Sequence, residues 1–96
     1  MLIKIHKMKD REVISLCDEE LIGKKFEEKD LQLEISERFY KGEKLPEEEI
    51  VKILKNVDNI NIVGKKSVDL ALKNKLISKK QIIKIKGIPH AQIISV

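Results

Sequence analysis

The sequence predicts a single small α+β domain, on the basis of three observations. The chain has 96 residues, of which 42% are hydrophobic, so it can bury one core but has no room for a second. Segments that alternate apolar and polar residues indicate strands, and two segments with apolar residues at helical spacing indicate helices. We therefore expect one domain over residues 1–96, with a mixed or antiparallel sheet of about five to six short strands and two main helices at about 46–57 and 65–76.

The N-terminal residues predict a β-hairpin. Leu2, Ile3, Ile5 and Met8 with interleaved polar residues predict a first strand, and a second apolar segment, Val13–Cys17, follows the polar turn Lys9–Glu12. A connection this short favours antiparallel pairing of the two strands.

A helical turn and a third strand are predicted next. Asp18 precedes two carboxylates, which suits the start of a helix, and Gly23 suits its end in the left-handed conformation. Strict alternation over Asp30–Ser36 then predicts a strand whose apolar residues face the core. These core residues are Leu31, Leu33 and Ile35.

The first main helix is predicted at about residues 46–57, after a loop over Phe39–Lys44. Pro46 suits the first helical position, and Glu47–Glu49 complement the positive helix N-terminus, so no chemistry is assigned to these acids. The apolar residues that follow recur at helical spacing. They are Ile50, Val51, Ile53, Leu54 and Val57.

The last third of the chain is predicted to form a strand, a helix and two further strands. The apolar run Ile60–Val63 ends at Gly64, after which apolar residues recur with a helical period up to Leu76. Ser78–Gln81 has the form of a capping box and predicts one helical turn. The remaining elements are a strand over Ile83–Ile85, a turn over Gly87–Pro89 and a last strand over Ala91–Val96.

Composition excludes several classes of protein. No apolar run approaches the roughly 18 residues that cross a bilayer, and the N-terminus lacks the continuous apolar segment of a secretory signal. The single cysteine, Cys17, cannot form an internal disulfide. We therefore expect a cytoplasmic protein without a membrane partner. The abundance of Lys, Glu and Ile fits a thermophile, although genomic base composition produces the same bias.

Positive charge is concentrated in the C-terminal third. Residues 1–58 contain 12 basic and 15 acidic side chains and residues 59–96 contain 8 basic and 1 acidic, so the two parts carry net charges of −3 and +7. A basic face attracts polyphosphate partners through Coulomb steering and counterion release. The alternative is that these lysines are solvated separately on exposed helix and strand faces.

The aromatic content restricts how a nucleic acid could bind. Phe26, Phe39 and Tyr40 all precede the basic third, so platforms that stack unpaired bases are not expected there. Contacts from lysine to the phosphates of structured RNA, or to an RNA–protein assembly, agree better with this composition.

The candidate binding residues lie in the basic third. Gly64–Ser67 follows a strand and opens a helix, where free backbone amides can bind an anion, although an ordinary glycine turn explains the same residues. It is not a P-loop, because Asn59 and Lys66 stand where that motif needs Gly and Ser or Thr. The complete set of candidate anion-binding or nucleic-acid-binding residues is Gly64, Lys65, Lys66, Ser67, Lys84, Lys86, His90 and Gln92.

No catalytic residue, metal site or cofactor is predicted. His90 can titrate near neutral pH, but no nucleophile or acid forms a recognised local pattern with it, so a structural or binding role is expected. The spacing of His6, Cys17 and His90 resembles no zinc signature. Cys17, near the end of an apolar strand, is expected to be a buried apolar side chain.

Several segments resemble a known family. They are Leu16–Phe26, Asn61–Gly64 leading into Ser67–Ala71, and Gly87–Ile93. Their order and spacing, over essentially the full chain, are similar to the small archaeal proteins grouped as "domain of unknown function 424", and the last segment is the most distinctive. The resemblance implies an archaeal source, a free-standing single domain and no established enzyme activity, and it brings no catalytic residues to this chain.

Three functions are consistent with these observations. The leading hypothesis is a non-enzymatic module that binds RNA or a ribonucleoprotein through the basic third. The second is a protein-interaction or structural module that dimerises through an exposed C-terminal edge strand containing Ile93, Ile94 and Val96. The third is a small enzyme using His90, which requires a pocket with a carboxylate within about 3 Å of the ring.

Overall fold

A computed structural model describes residues 1–94. Within these residues the strands are β1 (Leu2–Lys7), β2 (Glu12–Cys17), β3 (Lys25–Glu28), β4 (Leu31–Glu34), β5 (Glu43–Lys44), β6 (Asn59–Val63), β7 (Ile82–Ile85) and β8 (Ile88–Ile94). The α-helices are α1 (Glu37–Tyr40), α2 (Glu47–Leu54) and α3 (Lys65–Lys73). Short 3₁₀ helices occupy Glu19–Leu21 and Lys79–Gln81.

Six strands form one mixed sheet in the order β5-β1-β2-β6-β8-β7. β2 and β6 are parallel, and the other neighbouring pairs are antiparallel. β3 and β4 form a separate antiparallel hairpin. The structure therefore confirms the predicted α+β fold with a mixed sheet, and it confirms that β1 and β2 pair as a hairpin.

Different elements cover the two faces of the sheet. Successive residues of a strand point to opposite faces, so neighbouring residues pack against different elements. The side that we call the helix face carries Leu16 and Ile62, which pack with α2 and α3. The opposite side, the hairpin face, carries Cys17 and Val63, which pack with β4 and α1. The buried apolar residues of these strands are thereby divided between two apolar clusters.

The two main helices are confirmed, but both are shorter than predicted. The side-chain amide of Asn56 donates to the Lys52 carbonyl, and that of Asn74 donates to the Leu70 carbonyl, each at 2.8 Å. The Asn56 amide satisfies a carbonyl oxygen in the last helical turn, and the Asn74 amide is a second donor to the Leu70 carbonyl, which also accepts from the Asn74 backbone N–H at 3.2 Å. Lys75 then adopts a φ of 58°, which ends the second helical segment. No helix within residues 1–94 combines the length and apolar content that crossing a membrane requires.

The turn between β7 and β8 lies earlier than predicted. Lys86 and Gly87 have φ values of 53° and 79°, as in a two-residue hairpin turn in which both central residues have positive φ. Pro89 is therefore part of β8 and not of the turn. The backbone N–H of Lys86 donates to a carboxylate oxygen of Glu28 at 2.8 Å, which connects this turn to the end of β3.

Predictions for the segment around β4 and α1 were correct only in part. Leu33 and Ile35 are buried as predicted, but Leu31 is 48% exposed because it lies at the tip of the β3–β4 hairpin. The predicted loop from Phe39 begins inside α1, whose start is capped by the Ser36 hydroxyl accepting from the Phe39 N–H at 3.2 Å. Neither β3 nor β5 was predicted.

The C-terminal strand is not an edge strand. β8 lies between β6 and β7, so the prediction that an edge here contains Ile93 and Ile94 is wrong in topology. Val96 lies outside the described residues. The edges of the sheet are β5 and β7, and dimerisation stays a prediction.

Candidate functional site

A groove of about 580 Å³ lies between α3 and the β7–β8 hairpin. Its lining residues are Lys65, Val68, Asp69, Leu72, Lys79, Ile82, Lys84, Gly87 and Pro89. We call it the α3 groove. All of these residues belong to the C-terminal third, where the sequence concentrates positive charge.

The two walls of the α3 groove are formed by regular secondary structure, namely α3 and the β7–β8 hairpin. Lys65, Val68, Asp69 and Leu72 follow the spacing i, i+3, i+4, i+7, so they form one stripe along the helix. On the opposite wall, Lys84 pairs directly with Pro89 across the β7–β8 ladder. The helix and the hairpin therefore face each other through side chains whose positions the backbone determines.

The α3 groove has an apolar floor and a positively charged rim. Val68 is buried, whereas the side chains of Lys65, Lys84 and Asp69 are exposed. A third exposed cation, Lys79, is carried by the 3₁₀ turn that precedes β7. Three ammonium groups therefore surround the groove against one carboxylate, and an anion is the ligand that this charge balance favours.

The position of Lys79 is set by the capping box that the sequence predicts. The Ser78 N–H donates to the Gln81 side-chain oxygen at 2.8 Å, and the Gln81 N–H donates back to the Ser78 carbonyl at 3.0 Å. Lys79 itself was not among the candidate residues. The basic composition of the segment was its one sequence signal, because the turn geometry that brings it to the groove depends on the fold.

The N-terminus of α3 is occupied by the side chain of Asp18. One carboxylate oxygen accepts from the Lys66 N–H at 3.0 Å, and the other accepts from the Ser67 N–H at 2.8 Å and the Ser67 hydroxyl at 2.7 Å. Asp18 is 3% exposed. This residue was predicted to start its own helical turn, but its side chain makes no cap there and instead caps a helix 48 residues away.

Parallel pairing of β2 with β6 explains how Asp18 reaches α3. Cys17 is paired with Val63, so the next residues of the two strands, Asp18 and Gly64, are neighbours at the same end of the sheet. Gly64 has a φ of 108°, and a Cβ atom on it would overlap the Asp18 carboxylate. A glycine is required here both for the backbone conformation and for the close approach.

The predicted anion site at Gly64–Ser67 is already occupied by the carboxylate of Asp18. The amides of Lys66 and Ser67 already serve an internal carboxylate, and Ser67 is fully buried. An external anion at this turn would have to displace Asp18. The side chain of Lys65, by contrast, lines the α3 groove. An anion in this groove could therefore contact Lys65 without displacing Asp18 from the helix N-terminus.

The predicted residues His90 and Gln92 lie on the other side of the sheet. His90 is paired with Val63 on one side and Ile83 on the other, and Gln92 is paired with Asn61. Because Val63 belongs to the hairpin face, His90 and Gln92 are separated by the sheet from Lys65 and Lys84. The structure therefore divides the predicted set between two faces.

His90 is not part of a recognisable catalytic pair within residues 1–94. Partial burial lowers the pKa of its imidazole, so the neutral ring is favoured near pH 7. None of the hydrogen bonds formed by side chains in this part of the chain joins a carboxylate to His90. The remaining candidate, Lys86, is exposed at the β7–β8 turn.

Cys17 is a buried apolar side chain, as predicted. It is 0% exposed, its Sγ lies 3.9 Å from the Tyr40 carbonyl oxygen, and burial raises the pKa of its thiol to about 11. The thiol is therefore protonated near neutral pH and a poor nucleophile. Across residues 1–94, no three side chains of the metal-binding types converge on one point.

Comparisons with known proteins show the family and the fold. No curated protein matches the chain significantly. A crystal structure of an uncharacterized conserved protein from Methanopyrus kandleri superimposes with a TM-score of 0.78 at 27% identity, over 99% of this chain and 93% of that one. Residues 6–96 match the family described as "Protein of unknown function (DUF424)", and the chain therefore belongs to this family.

Proposed function

We propose that this domain is a non-enzymatic module that binds RNA, alone or in a ribonucleoprotein, through phosphate contacts in the α3 groove. The observation that supports the proposal is the convergence of Lys65, Lys79 and Lys84 on one groove. Lysines from α3, the 3₁₀ turn and β7 thereby contribute to one positive surface. Separately solvated lysines, the alternative explanation of the basic composition, would not need to line a common concavity.

The lining of the α3 groove specifies what part of an RNA it can contact. Lysine acts on phosphate as a point charge and does not discriminate between bases. The groove contains no aromatic side chain on which a base could stack. Recognition is therefore directed at the phosphodiester backbone, and sequence preference is expected to be weak.

The single acidic side chain of the groove should limit its affinity for RNA. Asp69 lies on the same helical stripe as Lys65 and places a negative charge beside the proposed phosphate path. A partner that makes close phosphate contacts must therefore tolerate or avoid this carboxylate. Replacing Asp69 with Asn would remove the repulsion without removing the side chain's volume.

Salt dependence of RNA binding tests the proposal. Three lysine–phosphate contacts predict a log–log slope of affinity against salt concentration of about −2 for single-stranded RNA, at roughly 0.7 per contact. The triple variant Lys65→Gln, Lys79→Gln and Lys84→Gln should lose most of this slope and bind at least about tenfold more weakly at low salt. Fluorescence anisotropy with a labelled oligonucleotide measures both quantities.

A charge-matched variant controls for net charge. Lys7→Gln, Lys24→Gln and Lys55→Gln remove the same three charges from exposed positions that do not line the groove. This variant should keep the steeper slope. Equal weakening of both triple variants would show that only the overall charge matters, and absence of binding at low salt would overturn the proposal.

A further inference from the structure

We propose that the domain has a second, separate site, which binds a phosphate group in a cavity on the hairpin face. The cavity has a volume of about 330 Å³ and is lined by Lys4, His6, Ser36, Arg38 and Phe39. Lys4 and His6 are two residues apart in β1 and therefore project to one side of the strand. That side is the one covered by α1, so the sheet separates this site from the α3 groove.

The carbonyl group of Phe39 organises the cavity. Its oxygen accepts from the Ser15 hydroxyl at 2.7 Å and lies 2.8 Å from Nε2 of His6. Because a carbonyl oxygen can only accept, Nε2 of His6 must carry the hydrogen. The imidazole also stacks on the Phe39 ring, with centroids 4.4 Å apart and planes inclined by 11°. The orientation of the His6 ring is therefore determined before any ligand arrives.

The other polar groups of the cavity are hydrogen-bond donors. Nζ of Lys4 donates to the Arg38 carbonyl, which uses one of its three hydrogens. The Ser36 hydroxyl accepts from the Phe39 N–H at 3.2 Å, so its own hydrogen is free to donate. Arg38 also lines the cavity, and a guanidinium is a planar set of donors that suits phosphate oxygens.

The cavity has the same net charge as the α3 groove, since two cations here compare with three cations and one carboxylate there. Its lining includes Lys4 and Arg38 but no carboxylate, whereas the α3 groove includes Asp69. A phosphate group offers only acceptors at neutral pH and matches this set of donors. The amino-acid composition does not predict this site, because residues 1–58 carry a net charge of −3 and these two cations are 34 residues apart.

Partial immobilisation of the side chains supports a binding role. Stacking and hydrogen bonding hold His6, and the Arg38 carbonyl holds Lys4, so less conformational entropy is lost when a ligand binds. The phosphate could be inorganic, part of a mononucleotide, or part of an RNA chain. All three sources present the same chemistry to these donors.

Titrations followed by NMR of the His6 ring test this site. Inorganic phosphate, adenosine monophosphate and a single-stranded oligoribonucleotide are added separately at constant pH, and the imidazole carbon-bound proton shifts are recorded. At least one of them should shift the His6 signals saturably, with a Kd in about the millimolar range or tighter. Saturation by inorganic phosphate would identify a compact phosphate site, and saturation by the oligonucleotide alone would identify a phosphate within a chain.

Variants separate the cavity from the α3 groove. Arg38→Gln and Lys4→Gln should each weaken the binding measured from the His6 shift by about tenfold. Lys7 is an exposed lysine on the same strand, and Lys7→Gln should leave this binding unchanged. The triple variant of the α3 groove should leave this response intact. If none of the three ligands shifts His6 saturably, or if Lys7→Gln weakens binding as much as Lys4→Gln, the inference is overturned, whatever the outcome for the groove.

Discussion

Replacing Asp18 with alanine is expected to lower the free energy of unfolding by about 3 kcal/mol. The change would leave the N–H groups of Lys66 and Ser67 and the Ser67 hydroxyl without their acceptor. Ser67 is fully buried, so water cannot readily replace the carboxylate. A loss of this size exceeds that of an ordinary helix cap because the acceptor is charged, buried and shared by three donors.

Chemical denaturation of three variants measures the contribution of this cap. Asp18→Asn keeps an acceptor oxygen and should lose less stability than Asp18→Ala. Asp69→Ala removes an exposed carboxylate from the same helix and should change the free energy of unfolding by no more than about 0.5 kcal/mol. If Asp18→Ala lowered the free energy of unfolding no more than Asp69→Ala, the hydrogen bonds of Asp18 to the N-terminus of α3 would not contribute the expected stability.

Replacing Gly64 with alanine is expected to lower the free energy of unfolding by about 4 kcal/mol. Gly64 has a φ of 108° and a ψ of 153°, a conformation that L residues rarely adopt. The added methyl group would also overlap the carboxylate of Asp18. Backbone strain and displacement of the helix cap therefore combine at one position.

Two controls separate these two causes. Gly23 has a φ of 84°, but a Cβ there would meet no atom within 4 Å, so Gly23→Ala should show backbone strain alone, about 1 kcal/mol. In an Asp18→Ala background, Gly64→Ala should cost less than in the wild type, since the overlapping carboxylate is gone. Equal costs in both backgrounds would contradict the proposed overlap. Thermal and urea unfolding provide the measurements.

Local patterns in the sequence were sufficient to identify most of the regular elements, but not β3, β5 or α1. The alternation of apolar residues in β1, the helical spacing in α2 and α3, and the capping box at Ser78 all correspond to observed structure. Element ends were less predictable, because they depend on side-chain contacts such as the Asn74 amide reaching the Leu70 carbonyl. The position of β8 inside the sheet depends on long-range pairing, which no local pattern encodes.

The sequence predicts the positive charge of the candidate site but not which of its residues lie together in the fold. The excess of lysine directed the prediction to the last third of the chain, and Lys65 and Lys84 do line one groove there. The division between the sheet faces follows from strand register, which separates Lys84 from His90 although they are only six residues apart. Asp18 was assigned to its own turn because its true partner, Ser67, lies 49 residues away.

Mapping backbone amide shifts with a single-stranded oligoribonucleotide at low salt tests the proposed function most directly. The largest shifts should fall on residues 65–72 and 82–89, which form the two walls of the α3 groove, and they should decrease in the triple groove variant. Tight binding of RNA with these residues unshifted, or shifts confined to elements outside the groove, would contradict the proposal that the α3 groove is the RNA-binding surface.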